Sequence, residues 1–229
     1  MLDPGGGVVW PAQRLLAVAD LHLEKGSAAA AKGSLLPPWD SAATLDRLGT
    51  LLRRYRPTTT VLLGDSFHDR QGAARLGAAE RARLAQFARH TELVWVLGNH
   101  DPAAPADLPG RAVAELAIAG LVFRHQAQPG AQHEVSGHFH PKASIPARGA
   151  TVSRPCFVAG SGRLILPALG AYTVRAGNRG GLDVHDRAIA GLFPRGGRVF
   201  LLGQERLFSF AFAGRGVARL PAGQALLKL

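Results

Sequence analysis

An amide, an imidazole and a carboxylate stand on consecutive residues at Asn99-His100-Asp101, directly after Gly98. Such groups bind a metal or move a proton, and they make a poor core. Similar polar residues recur at Asp20-Leu21-His22, Gly64-Asp65, His125 and Gly137-His138-Phe139-His140. Side chains alternate along an extended segment, so Asp-x-His and His-x-His each put two donors on one side and can grip one ion. The donors are carboxylate, imidazole and amide without thiolate, a set suited to Mn, Fe, Zn or Co rather than to a soft ion or an all-oxygen Ca²⁺ site. Seven candidate ligands, Asp20, His22, Asp65, Asn99, His125, His138 and His140, are too many for one tetrahedral site. They fit two adjacent metals that share a bridging carboxylate.

The elements that must position these residues can be read from the apolar runs. Arg14–Ala19, Thr59–Leu63 and Leu93–Leu97 read as buried strands, each ending at one of the polar clusters. A helix is expected from Asp40, with Asp40 or Ser41 as N-cap and Leu45, Leu48, Leu51, Leu52 and Tyr55 at helical spacing; Pro57 ends it. A second helix is expected over residues 78–90. This β-α-β order sets the three strand ends side by side. Beyond Pro102 short strands dominate: a hairpin of Val113–Ile118 and Leu121–Arg124, then His133–Ser136, Thr151–Ala159, Arg163–Leu166, Arg198–Leu202 and Arg206–Phe212, with a short helix over Leu182–Ala190. The fold class is therefore α/β (α+β): two sheets stacked face to face with helices outside, in a single domain spanning residues 1–229.

Composition narrows the setting. A hydrophobic content of 47% with 19% charged residues fits a globular protein rather than a disordered one. No apolar run is long enough to span a bilayer, so no membrane partner is expected. The first seven residues lack a basic segment followed by an apolar one, which reads as no signal peptide, and the lone Cys156 fits a reducing cytoplasm. The net charge of +11 favours a polyanionic partner such as nucleic acid. Genome bias explains the preference for Arg over Lys better than it explains the excess of base over acid.

The ordered series Asp20-x-His22, Gly64-Asp65, Gly98-Asn99-His100-Asp101, His125 and Gly137-His138-x-His140 resembles the calcineurin-like metallophosphoesterase superfamily. The wording between the motifs narrows the likeness. Asp20-Leu-His-Leu-Glu-Lys-Gly26, Leu35-Leu-Pro-Pro38, Gly64-Asp-Ser-Phe-His-Asp69, Gly137-His-Phe-His-Pro141 and Arg154-Pro-Cys-Phe157 are similar to the bacterial PdeM family, the ligase-associated DNA damage response endonucleases. The likeness covers roughly residues 14–170; the tail after Tyr172, beginning Thr173-Val174-Arg175, departs from it. The resemblance implies the metallophosphoesterase-type two-sheet sandwich and two divalent ions, Mn²⁺ in first place with Fe, Zn or Co as alternatives. It implies one metal on Asp20, His22 and His140 and a second on Asn99, His125 and His138, with Asp65 bridging. Two dications clamp a phosphoryl group and acidify a water between them for attack on phosphorus. His100 would stabilise or protonate the leaving oxygen, with Asp101 orienting it. DNA would be the substrate, with a ligase, a helicase and an exonuclease as repair partners, and an open site without an added capping domain is expected to prefer single-stranded or flexible DNA.

Blander readings stand beside these. A lone histidine is usually structural or exposed, and His90, His133 and His185 are read so. His133 competes with His125 as a ligand, but His125 follows an apolar strand. The His-x-His pair would also suit a metallo-β-lactamase-type site, where an Asp-His pair should follow; Pro141-Lys142 follows instead. His68 and Asp69 either cap the next turn or contact substrate. Lys25 and Lys32 lie on a solvated loop or touch phosphate, and Lys25 and Arg154 complete the substrate-binding candidates. The arginines at 47, 53, 54 and 56 read as a solvated helix face rather than a DNA track. Competing functions are a phosphatase or nucleotide pyrophosphohydrolase acting on small phosphoesters, and a non-catalytic scaffold.

Overall fold

The computed structural model describes residues 1–103, 107–147, 149–173 and 181–213. Strands β1 (Val8–Trp10), β2 (Leu15–Val18), β3 (Thr59–Leu63), β4 (Glu92–Val96) and β5 (Arg111–Val113) form one sheet in that order. β1 runs antiparallel to β2, and β2 through β5 are parallel. Helices α1 (Lys25–Ala30) and α2 (Asp40–Tyr55) lie between β2 and β3; α3 (Gly72–Arg75) and α4 (Ala78–Ala88) lie between β3 and β4. The register pairs Val18 with Leu62 and Leu63 with Val96, so the C-terminal ends of β2, β3 and β4 lie level.

The second sheet contains β6 (Glu115–Ile118), β7 (Leu121–Arg124), β8 (Glu134–Ser136), β9 (Lys142–Ala147), β10 (Ala150–Gly160), β11 (Arg163–Ile165), β12 (Gly197–Leu202) and β13 (Leu207–Phe212). Its path is β13-β12-β10-β11-β8-β7-β6, with β9 paired to β10 beside it. Helix α5 (Arg187–Leu192) packs on its outer face.

Alternation along the strands sorts the core into layers. Ala17, Val61 and Val96 meet Phe123, Val135 and Phe157 between the sheets. The intervening Leu16, Val18, Leu62 and Trp95 pack against Leu45, Leu48 and Leu51 of α2 and Leu84 of α4. A parallel sheet covered on both faces needs strands apolar throughout, which is why β2, β3 and β4 read as continuous runs. Each fully buried Leu or Val stabilises the fold by about 1.5–3 kcal/mol. The site is thus carried on a rigid scaffold.

Several expectations need correction. Neither Asp40 nor Ser41 caps α2, whose N-cap is Trp39. Both side chains turn back to the preceding loop instead: Asp40 Oδ2 accepts from Gly26 N at 3.1 Å, and Ser41 Oγ accepts from Glu24 N at 2.8 Å. Those bonds help order α1, where the sequence shows Lys25 followed only by Gly, Ser and Ala. Val113 belongs to β5 in the first sheet rather than to the hairpin, which begins at Glu115. β1 and β9 were not anticipated. Val174 and Arg175 of the divergent tail lie outside the described residues.

Candidate metal centre

Each proposed ligand lies just past a strand. Asp20 follows β2, Asp65 follows β3, Asn99 follows β4, His125 follows β7, and His138 and His140 follow β8. The local backbone is unusual. Asp20, His22, Asp65, His138 and His140 all have positive φ, between 44° and 69°. Non-glycine residues rarely adopt this left-handed conformation, which costs of order 1–3 kcal/mol each and persists where the surroundings enforce it. The glycines before Asp65, Asn99 and His138 are explained by close approach. A Cβ on Gly64 would strike the His125 ring, one on Gly98 the backbone N of Asp65, and one on Gly137 the carboxylate of Asp20.

The side chains converge as two adjoining groups. Asp20, His22 and His140 form one, with His22 Nε2 3.1 Å from His140 Nε2 and His140 Nε2 3.4 Å from Asp20 Oδ1. Asp65, His125 and His138 form the other. Asn99 joins it, its Oδ1 lying 2.9 Å from His125 Nε2 and 3.0 Å from His138 Nδ1. Asp65 stands between the groups: its Oδ2 is 3.9 Å from His22 Nε2 and 3.4 Å from His125 Nε2. Its Oδ1 is held by the backbone N–H of His100 at 2.9 Å. A contact of His125 Nδ1 with Leu63 O at 3.0 Å places the proton on Nδ1 in the neutral ring and turns Nε2 to the cluster.

The donor set fits a pair of divalent cations. Asp20 is fully buried, yet its Oδ1 has no hydrogen-bond partner among the described residues, an expensive arrangement unless a positive charge faces it. Imidazole nitrogens turned toward one another at 3.0–3.1 Å share the same need. The electrostatics agree. Burial, then His140, holds His22 far below the usual imidazole range. Burial opposes ionisation of Asp65, but His125 and the His100 N–H keep its carboxyl below the ordinary value. Burial likewise disfavours a charged His125, yet Asp65 and Asp20 push it up to about 9. The two carboxylates thus favour positive charge on His125, while His22 stays neutral.

The remaining candidates divide. His100 lines the open cleft beside the cluster with His22, His68, His138 and His140. Its Nε2 lies 3.9 Å from Asp65 Oδ2, while its Nδ1 meets the carbonyl of His68 at 2.7 Å. Asp101 does not orient that ring: its Oδ2 accepts from the backbone N–H groups of Ser66 and Phe67 and its Oδ1 from that of Gly98. It braces the loops that carry Asp65 and Asn99, and burial with the nearby Asp65 charge raises its carboxyl to about 6. His68 stacks on His100 with ring centres 5.5 Å apart, and burial and Lys25 lower it to about 4. His22, His68 and His100 form a third close group that the sequence did not suggest. Lys25 lines the cleft and donates to Tyr172 O at 3.3 Å. Asp69 instead pairs with Arg75 through both oxygens at 2.9 and 2.8 Å and accepts from Gln71 N, so it stabilises the α3 turn. Arg154 lines a different cleft, with Arg54, Gln204 and Glu205.

Two stacked mixed sheets with a double His/Asp/Asn cluster at the strand ends define a class of metal-dependent phosphoesterase. The chain belongs to the calcineurin-like phosphoesterase family, whose model matches residues 13–136, more than half of its length. That family consists of hydrolases that use divalent metals. Among solved structures it is similar to the Pseudomonas putida nuclease MPE, at 28% identity and a TM-score of 0.67, covering 90% of this chain and 94% of that one. It also matches Yfce, a phosphoesterase from E. coli, at 15% identity and a TM-score of 0.44, covering 86% and 98%. No curated protein sequence matches the chain significantly.

Proposed function

We propose that this chain is a metal-dependent phosphodiesterase that cuts DNA as an endonuclease of repair. The observation that carries the chemistry is the buried, unpartnered Asp20 Oδ1 within a cluster of seven donors drawn from separate strand ends. Asp20, His22 and His140 would hold one divalent ion, and Asn99, His125 and His138 the other, with Asp65 between them. The resemblance puts Mn²⁺ first, and the oxygen and nitrogen set admits it alongside Fe, Zn or Co. When bound, such a pair clamps the phosphoryl oxygens and acidifies a water. His100, its Nδ1–H donated to His68 O, turns Nε2 to the cleft, so that the doubly protonated ring would pass its Nε2 proton to the departing oxygen and be left neutral with Nδ1–H still on His68 O. His68 is a positioning residue through its carbonyl.

The likeness to a nuclease over nearly the whole chain and the net charge of +11 support DNA over a small phosphoester. The PdeM-like wording supports a cytoplasmic repair setting with a ligase, a helicase and an exonuclease as partners. Purified protein should nick circular single-stranded DNA with Mn²⁺, and EDTA should stop it. Closed circles that persist under these conditions, beside rapid hydrolysis of small nucleotides, would assign the site to a phosphatase or pyrophosphohydrolase instead.

A further inference from the structure

Large apolar side chains of the described residues are exposed at three places: Met1 and Trp39, each 70% exposed, and Leu35, 93% exposed. Two of these fall on one short segment, residues 34–39, that follows α1. An exposed Leu is ordinary, whereas an indole left in water forgoes one of the largest apolar payloads available.

The segment is anchored to the wall of the cleft. Lys25, which lines the cleft with His22, His68 and His140, begins α1 and donates to Tyr172 O at 3.3 Å. The hydroxyl of Tyr172 donates to Pro37 O at 2.8 Å. Gly26 N donates to Asp40 Oδ2 at 3.1 Å, and a Cβ on Gly26 would lie 3.3 Å from Pro37 O. Lys25, Tyr172 and the Pro37–Asp40 turn are therefore one packed unit. Trp39, two residues past Pro37, is the N-cap of α2 and leaves its indole in solvent.

We propose that Trp39 is a stacking platform for an unpaired base of the nucleic acid strand whose phosphodiester lies in the adjacent cleft, with Lys25 facing the phosphate between them. The inference rests on the nuclease reading above. Aromatic rings beside cationic side chains are the means by which proteins hold single strands without reading sequence, because every base offers a π face. In a duplex those faces are already stacked on neighbouring pairs. The platform therefore selects single-stranded or frayed substrate, and it makes the Leu35–Trp39 turn part of substrate recognition rather than a docking surface for another protein.

The test compares wild type with Trp39→Ala and Trp39→Phe on an oligo-dT strand and on bis-p-nitrophenyl phosphate, which has no chain to reach the rim. The ratio of kcat/KM for the strand over the small diester should fall by about 5- to 150-fold in Trp39→Ala, mostly through KM, and recover largely in Trp39→Phe. In EDTA, oligo-dT should quench the fluorescence of the wild type and not of Trp39→Phe, in which Trp10 and Trp95 remain. An unchanged ratio, or a quench that survives in Trp39→Phe, overturns the proposal. Wild type that cleaves neither substrate would remove the nuclease reading, while the quench would still decide on the platform.

Discussion

Two buried aspartates on different segments of the fold show what separates a structural carboxylate from one built for chemistry. Asp3 and Asp20 are both almost fully shielded from solvent. Asp3 is saturated: Oδ1 accepts from Gly5 N at 2.6 Å, and Oδ2 accepts from Arg54 at 2.7 Å and from the Tyr55 hydroxyl. It staples the N-terminal turn to the end of α2. Asp20 has one oxygen held by His138 N at 2.9 Å and the other without a donor among the described residues, facing His140 and His125 at 3.4 and 3.8 Å. The first carboxylate is complete within the protein. The second would be completed by a cation, and its cost would then be part of the machinery proposed above.

The largest expected effect breaks the pair apart by activity. Asp20→Ala should lower Mn²⁺-dependent cleavage by at least about 10³-fold, which corresponds to about 4 kcal/mol of barrier. Asp3→Asn should stay within about threefold at 25 °C, where single-site changes away from a site rarely reach the chemistry. Parallel losses in the two variants would mean that Asp20 acts on the fold alone.

Next in size is the response to metal. At about 100 times its dissociation constant, a bound ion stabilises the folded chain by about 2.7 kcal/mol. Thermal melts of wild type should therefore rise by about 5–10 °C with Mn²⁺. In Asp20→Asn most of that rise should vanish, with no fall in the metal-free melting temperature, because the amide keeps the acceptor for His138 N and removes an unpartnered charge. A metal-free protein that melts well below wild type would show that Asp20 is as structural as Asp3.

Much of this contrast was legible in the sequence, and the reason is chemical. Metal donors are a narrow set of residue types, and short Asp-x-His and His-x-His spacings announce themselves even when the groups lie more than a hundred residues apart. The three parallel strands that bring Asp20, Asp65 and Asn99 level were equally plain, as runs apolar throughout. What escaped depends on contacts without a side-chain signature. The ring of His100 is set by the backbone carbonyl of His68, which no residue type encodes. Helix α1 has six residues of weak pattern and is secured by Asp40 and Ser41 acting from the next helix. Asp69 and Arg154 matched family wording, yet a carboxylate within reach of Arg75 and a strand that turns to another cleft gave them other partners. The staple at Asp3 was hidden too, since its three donors lie two and about fifty residues away.

That staple also yields smaller effects that sharpen the comparison. Removing the charge with Asp3→Asn should cost about 1–3 kcal/mol near neutral pH, read as a fall of about 2–12 °C in the metal-free melting temperature. Arg54 is half exposed, so the ion pair adds little and most of the loss comes from the Tyr55 and Gly5 bonds. Burial raises the carboxyl of Asp3, but Tyr55, Gly5 and Arg54 together bring it below the usual value of 3.8. A carboxyl depressed in the folded state adds stability that is fully present above its unfolded value and is lost as pH falls through the folded one. Melting temperatures of wild type and Asp3→Asn should therefore differ by a constant amount from about pH 7 to 5 and converge as pH drops below about 3. A gap that persists at the lowest pH would mean that shape, not charge, makes Asp3 a staple, and that the two aspartates differ less in electrostatics than their hydrogen bonds imply.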